Sequence, residues 1–409
     1  MIGNKKGIVN YLIKWTAISA IVGICVGCAS AIFLLSLDWA TSWRENNIWI
    51  ISLLPIGGLI IGLLYHYYSG TTEKGNNLII DEFYSPRTII PFRMAPLVLV
   101  STVITHFFGG SAGREGTAVQ MGGAIADRLT RLFKLNNHDR KTILIVGVSS
   151  GFASVFGTPL AGAVFALEVM VLRHFSYKYV FPSFLVAFIA NYVCVLWGVH
   201  HTTYSVSYIP QMSLELFLWS IAAGLLFGVT AMLFTHSIKF FSFFSKRFVP
   251  YPPLRPFFGG IIIAGAVFIM GTTKYIGLGM PTIVSAFQEE LPYYDFILKI
   301  AFTAFTLGVG FKGGEVTPLF FIGATLGNVL SLFMPLPMAL LAAMGFVSLF
   351  AGATNTPIAC AIMGMELFGI EGGVFIAVAC IVAYLSSGDK GIYSSQDTKM
   401  AYILHNKGK

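Results

Sequence analysis

The feature that most constrains this chain is a pair of glycine-rich breaks in apolar sequence, each carrying a glutamate. The first reads Gly110-Ser111-Ala112-Gly113-Arg114-Glu115-Gly116-Thr117-Ala118-Val119, and the second reads Gly310-Phe311-Lys312-Gly313-Gly314-Glu315-Val316-Thr317-Pro318-Leu319. Gly123-Ala124 and Gly323-Ala324 follow at matching distances. A second echo lies downstream: Thr158-Pro159 leads to Glu168, and Thr356-Pro357 leads to Glu366. A repeated, interrupted apolar segment points to a transport site at the junction of two repeats. A carboxylate held among apolar residues is costly, so it marks function by default.

Composition supports a membrane reading. Of 409 residues, 56% are hydrophobic and only 11% charged, against about 25% charged in soluble domains. Apolar runs such as Trp15–Leu37, Ile48–Tyr68, Phe181–Trp197 and Leu216–Phe234 approach the ~20 residues that a spanning helix needs. Others, such as Leu340–Ala353 and Pro357–Phe368, are shorter or broken. Short segments survive at membrane depth only where protein or a water-filled path surrounds them. The expected fold class is an all-α integral membrane protein, residues 1–409 forming one transmembrane domain with repeat halves near 11–199 and 214–387. No cleavable signal peptide is expected.

The net charge of +8 is not a nucleic-acid signal. Basic residues cluster in short loops, including Arg128, Arg131, Lys134, Arg140 and Lys141, then Arg173 and Lys178, then Lys246, Arg247 and Arg255. The bias of such loops toward the cytoplasm places the termini inside, with 388–409 as a cytoplasmic segment. The five cysteines read as packing residues, the Cys25/Cys28 pair included, because it lies among small apolar residues. No zinc-type ligand pattern is present, and no metal or cofactor is expected. His200-His201 reads as a surface loop. Gly308–Gly313 fits a dinucleotide-binding glycine pattern, but that reading needs a preceding strand, and both flanks are membrane-apolar.

The two breaks suit half-helices that start inside the membrane. Such a helix presents free N–H groups and the positive end of its dipole, which together bind anions. Glycines before each glutamate let the chain turn and let an ion approach the backbone. Pro318 fits a first-turn position, where its missing N–H costs nothing. Two facing starts, at Gly113–Thr117 and Gly313–Thr317, would surround one anion path, with Arg114 and Lys312 adding positive field. An ionised carboxylate there imitates an anion, and a protonated one donates a hydrogen bond. Such a group exchanges places with an anion and carries a proton back. Glu168 and Glu366, near the ends of their helices, read as packing or capping residues.

At Gly113-Arg114-Glu115-Gly116 the sequence resembles the CLC family of chloride channels and proton-coupled anion antiporters. Gly113–Gly123 is similar to the family's GREGP segment, Gly313–Pro318 to its GGxFxP segment, Gly75–Ile79 to its GSGIP segment, and Tyr393 falls at its pore tyrosine. The resemblance covers nearly the whole chain. It implies a CLC-like bundle of tilted and broken helices in two inverted repeats, a homodimer with one pore per subunit, and no nucleotide-binding CBS tail after Lys409. The departures are informative. GSGIP becomes Asn76-Asn77, and the proline after the gating glutamate becomes Thr117. Thr317 replaces a small apolar residue, and Glu315 is added. Val169 stands where chloride/proton antiporters carry an inner glutamate. This combination resembles the fluoride/proton antiporter branch.

That resemblance implies fluoride export driven by protons, across the inner membrane of a bacterium. Glu115 is then the gating acid and Glu315 handles a proton or the anion on the inner path. Asn76, Gly116, Val316, Thr317 and Tyr393 line the ion; Asn77, Gly113, Arg114, Thr117, Gly313 and Gly314 complete the motifs. Fluoride is small and strongly hydrated, so its site must replace water with strong donors; amide, hydroxyl, phenol and backbone N–H groups do so. The readings that compete are a chloride/proton antiporter or passive anion channel of the same family and, remotely, an intramembrane enzyme with paired carboxylates. The last needs a poised nucleophile, and Ser111 has only His106 nearby.

Overall fold

The computed structural model describes residues 5–171 and 176–396; Arg173 and the C-terminal lysines lie outside them. Among the described residues there are sixteen α-helices and no named strand. The first eight are α1 (Lys5–Asn46), α2 (Leu54–Tyr68), α3 (Asn76–Tyr84), α4 (Met94–Phe108), α5 (Glu115–Leu132), α6 (Asn137–Phe156), α7 (Pro159–Val171) and α8 (Val180–Leu196). The second eight are α9 (Leu214–Phe248), α10 (Leu254–Met270), α11 (Met280–Ser285), α12 (Asp295–Gly308), α13 (Val316–Leu330), α14 (Met338–Thr354), α15 (Pro357–Phe368) and α16 (Gly373–Ser386). Each helix of the first set has its counterpart in the second. The two sets are inverted repeats joined by 198–213, which contains no helix.

Among the described residues, four helical stretches are long and apolar enough to cross a membrane: Gly7–Asn46, Ile48–Tyr68, Tyr177–Leu196 and Leu214–Phe248. The apolar run at Trp15–Leu37 is thus the middle of a longer helix, α1. Most of the others are short, as the broken sequence predicts, and they are shielded by neighbours. α6, α13 and α14 are buried along nearly their whole length.

Lipid tails are as apolar as leucine, so helices here associate through close van der Waals packing over small residues. Both repeats use the same device. A Cβ added at Gly122 of α5 would come within 2.2 Å of the Gly147 carbonyl oxygen of α6, and one at Gly323 of α13 within 2.0 Å of the Gly345 oxygen of α14. Any side chain at these crossings would force the backbones apart.

The repeats are also locked across their junction by α7 and α15, which run antiparallel. Glu168, near the end of α7, accepts hydrogen bonds from Ile358 N (3.0 Å) and Ala359 N (2.7 Å) at the start of α15. Glu366, near the end of α15, accepts from Leu160 N (2.9 Å) and Ala161 N (2.7 Å) at the start of α7. Each carboxylate caps the other helix's free N–H groups. The capping reading of these two glutamates is thereby specified: each caps the opposite repeat's helix.

Candidate functional site

α4 ends at Phe108 and turns through Gly109 in the left-handed region (φ 94°), so α5 starts in the interior of the molecule. α12 ends at Gly308, and Gly310 (φ 108°) makes the matching turn into α13. The two half-helices meet head to head. Gly113 N donates to Gly314 O at 2.6 Å and Gly314 N donates to Gly113 O at 2.8 Å, a two-residue antiparallel bridge. No side chain fits between these heads. A Cβ at Gly314 would lie 2.8 Å from Gly116 N, and one at Gly113 would lie 3.0 Å from Thr317 N.

Glu115 is the first residue of α5 and is 1% exposed. Its carboxylate does not cap its own helix alone; it reaches across to the head of α13. Thr317 N donates to Oε2 at 3.1 Å, and the Thr317 hydroxyl lies 2.7 Å from Oε2 and 2.9 Å from Oε1. Arg114 N also donates to Oε2 at 3.3 Å, and the Arg114 guanidinium Nε lies 3.6 Å from Oε1. A carboxylate therefore occupies the place that the free N–H groups of a half-helix offer to an anion.

Glu315 sits as the N-cap residue of α13. It lines a cavity of about 190 Å³ together with Lys312, Asn76, Asn77, Gln120 and Tyr393. Its Oε2 lies 3.5 Å from where a Cβ on Gly116 would stand, so it borders the head of α5. Lys312 lies over the Tyr65 ring, 4.1 Å from its centroid, and interacts electrostatically with Glu73 and Glu315. The two glutamates thus face different spaces.

Asn76 opens α3. Its Nδ2 lies 3.3 Å from the notional Gly116 Cβ, and its Oδ1 is buried without a hydrogen-bond partner. Tyr393 is 6% exposed and shares the cavity with it. The Tyr393 segment is docked by Ile392 N donating to Ala353 O at the end of α14, 2.8 Å. Val316 is buried at the first turn of α13. Gly313 packs on Ala112, where a Cβ would meet the Ala112 Cβ at 2.5 Å. Asn77 accepts from Ser395 N at 2.9 Å, which fastens the C-terminal segment. Thr117 lies 2.8 Å from the Thr102 hydroxyl of α4, so it braces α5 against α4. Val169 lines a small space of about 10 Å³ with Asn76, Ile79, Phe165 and Tyr393.

Several residues at this site carry no signal in the sequence. Gln120 lines the inner cavity, and its polarity five residues past Glu115 is its only mark. His201 is not simply a surface residue: its ring lies against Gly157, and its Nε2 is buried without a partner. A cavity of about 530 Å³ opens on its side of the molecule, lined by Arg44, Arg114, His200, His201, Thr202, Lys274 and Met280 among others. Arg140 forms a buried bidentate pair with Asp127, 2.8 Å at both contacts, and reaches Glu82 at 3.0 Å. That network ties α3, α5 and α6 together beyond the Glu315 cavity.

Comparisons with known proteins give the family and the fold. The profile of the family described as "Voltage gated chloride channel" matches residues 57–388. A "Chloride/fluoride channel protein" of Pseudomonas syringae pv. tomato is 51% identical over 403 residues, covering 97% of this chain and 89% of that protein. An "H(+)/Cl(-) exchange transporter ClcA" of Vibrio cholerae is 25% identical, covering 86% of this chain and 81% of that protein. The crystal structure of a CLC-type fluoride/proton antiporter superimposes with a TM-score of 0.91 at 34% identity, covering 94% of this chain and 98% of that one.

Proposed function

Because the chain belongs to the voltage-gated chloride channel (CLC) family, a family of membrane transporters and channels rather than catalytic enzymes, we propose that it is a fluoride/proton antiporter that exports fluoride. The relative at 51% identity and the structural neighbour at 34% are both named for fluoride. The observation that carries the reading is the Glu115 carboxylate held by the N–H and hydroxyl of Thr317, at the head of the opposite half-helix. A group that accepts those donors in ionised form competes with an anion for them. Once protonated it loses its charge, releases the donors to the anion, and carries the proton away.

Fluoride requires more than chloride does. It surrenders a tight hydration shell, so every lost water must be matched by a donor. Asn76, Tyr393 and the backbone near Gly116 and Val316 border the path that leads from the Glu315 cavity to Thr317. Glu315 is the second acid of the cycle and receives a proton on that inner side. The orientation that fits the basic loops puts the Glu315 cavity toward the cytoplasm and the Arg114 vestibule outside, in a bacterial inner membrane. The working unit is a homodimer in the bilayer, with fluoride and protons as the ions carried.

The same-family alternative, chloride/proton exchange, is disfavoured by a specific contact set. Val169 stands beside a small, mainly apolar space of about 10 Å³ and offers no titratable group where that reading needs a carboxylate.

The test is a flux assay in liposomes with fluoride and pH recorded together. The unaltered protein is expected to move fluoride against its gradient when a proton gradient is imposed. Glu115→Gln, which keeps the shape and cannot exchange a proton, is expected to abolish proton-coupled flux. A Glu115→Gln protein that still exchanges protons for fluoride in fixed ratio overturns the mechanism.

A further inference from the structure

We propose that Lys312 is the residue that admits fluoride to the Glu315 cavity, and that Glu73 balances its charge so that fluoride enters only while Glu315 carries a proton; the inference rests on the fluoride/proton reading and the orientation above.

The cavity beside Glu315 measures about 190 Å³, room for a fluoride ion that keeps several of its waters. An ion that arrives hydrated is drawn or repelled by net charge before any donor touches it. Four charged side chains line the space: Glu73, Lys74, Lys312 and Glu315. The other polar groups bordering it, among them Asn76, Gln120 and Tyr393, are uncharged. Lys74 is engaged by Asp81, 2.8 Å away. Lys312 is left to answer the two carboxylates, and it interacts electrostatically with both. Lys246, near the end of α9, also acts on Lys312, more weakly than either carboxylate.

The lysine is held in place without being neutralised. It stands on the turn that the Gly113–Gly314 bridge fixes, and its ammonium lies 4.1 Å from the centroid of the Tyr65 ring of α2. A ring face supports a cation and leaves its charge available to an anion. The turn itself does not require a lysine, for the matching place in the first break is Ala112.

The charge count decides the order of events. With Glu315 ionised, two carboxylates oppose one ammonium, and the net negative space turns fluoride away. With Glu315 protonated, Glu73 and Lys312 cancel, and the neutral acid offers its O–H to the ion. A proton passed inward from Glu115 to Glu315 thus opens the cavity to fluoride from the cytoplasm. When Glu315 gives that proton to cavity water, its restored charge pushes fluoride outward toward Thr317. Without Lys312 the space stays negative in both states of Glu315.

The experiment is calorimetric titration of sodium fluoride into the purified full chain at fixed pH and ionic strength. Lys312→Gln is expected to raise the fluoride Kd by about tenfold or more. Lys312→Arg, which keeps the charge, is expected to stay within about twofold of the parent. Glu73 is exposed, so Glu73→Gln is expected to lower the Kd by only about two- to threefold. Combined with Lys312→Gln, it is expected to recover about threefold or more of the lost affinity. A lysine that merely braces Tyr65 gives no such recovery. Proton uptake on fluoride binding, read from buffers of different protonation enthalpy, is expected to be smaller in Glu315→Gln than in the parent.

An unchanged Kd in Lys312→Gln, an equal loss in Lys312→Arg, no recovery in the double variant, or unchanged uptake in Glu315→Gln overturns the inference. Should the lysine variants not fold, Glu73→Gln tests the same charge count, and a Kd that fails to fall overturns it. A parent that moves fluoride without protons in liposomes sinks the functional reading and this inference with it; a coupled parent with an unchanged Kd in Lys312→Gln sinks the role of Lys312 alone.

Discussion

Thr317 shows how one residue can be rightly placed by sequence and still differ in its contacts. Its position at the head of a half-helix marks it as a donor to an anion. The structure gives its hydroxyl and its N–H to Glu115, because a carboxylate and a halide compete for the same bare amide. Replacing it with valine removes a hydrogen bond to a charged group, about 1.5–3 kcal/mol. Thr317→Val is therefore expected to slow coupled exchange by about 10- to 100-fold, read as the initial rate of fluoride efflux, with the folded yield unchanged. Asn76→Ser combined with Thr317→Ala exchanges an amide donor for a shorter hydroxyl and removes a second hydroxyl altogether. The pair is expected to lower the preference for fluoride over chloride by about tenfold or more, measured by efflux of each halide; an unchanged preference would place selectivity elsewhere. Glu115, Glu315, Asn76 and Tyr393 were readable because each stands in a short motif with glycine or a helix start beside it. Tyr204, Gln120 and Arg140 were not. Their meaning comes from partners distant in sequence, and an aromatic residue in a polar loop looks the same whether it faces water or packs among other rings, as Tyr204 does.

At the scale of helices, the short elements owe their existence to neighbours. α7 and α15 each begin with free N–H groups that meet a carboxylate from the other repeat. Glu168→Ala and Glu366→Ala are each expected to destabilise the protein by ~1 kcal/mol, the usual worth of a lost cap. The check is the thermal midpoint in detergent, where both single variants should unfold below the parent and the double variant lower still. The heads of α5 and α13 are more sensitive. Gly314→Ala brings a methyl to 2.8 Å from Gly116 N, so it is expected to abolish fluoride flux while circular dichroism still shows a helical protein. The sequence announced these half-helices through glycine, glutamate and proline, and their starts at Glu115 and Val316 fall within the expected windows. It did not announce the length of α1, because charged residues at both ends of that helix hide its continuation past the apolar run.

Across the whole molecule, the two-repeat plan was visible because the motifs recur in order, whereas the vestibules were not, since cavities are made by residues that share no local pattern. The proposed pairing of two chains is tested by light scattering in detergent, where twice the mass of one chain is expected. The bridge between Gly113 and Gly314 has a further consequence. Its two hydrogen bonds use only peptide groups, so no exchange of side chains can lengthen or shorten it by degrees; a larger residue can only wedge it open. The spacing of the two helix heads is in effect a fixed gauge. Relatives of this chain that handle a different ion are then free to vary only what hangs around that gauge, and drift toward a new cargo should begin at the residues beside the glycines while the glycines themselves stand still.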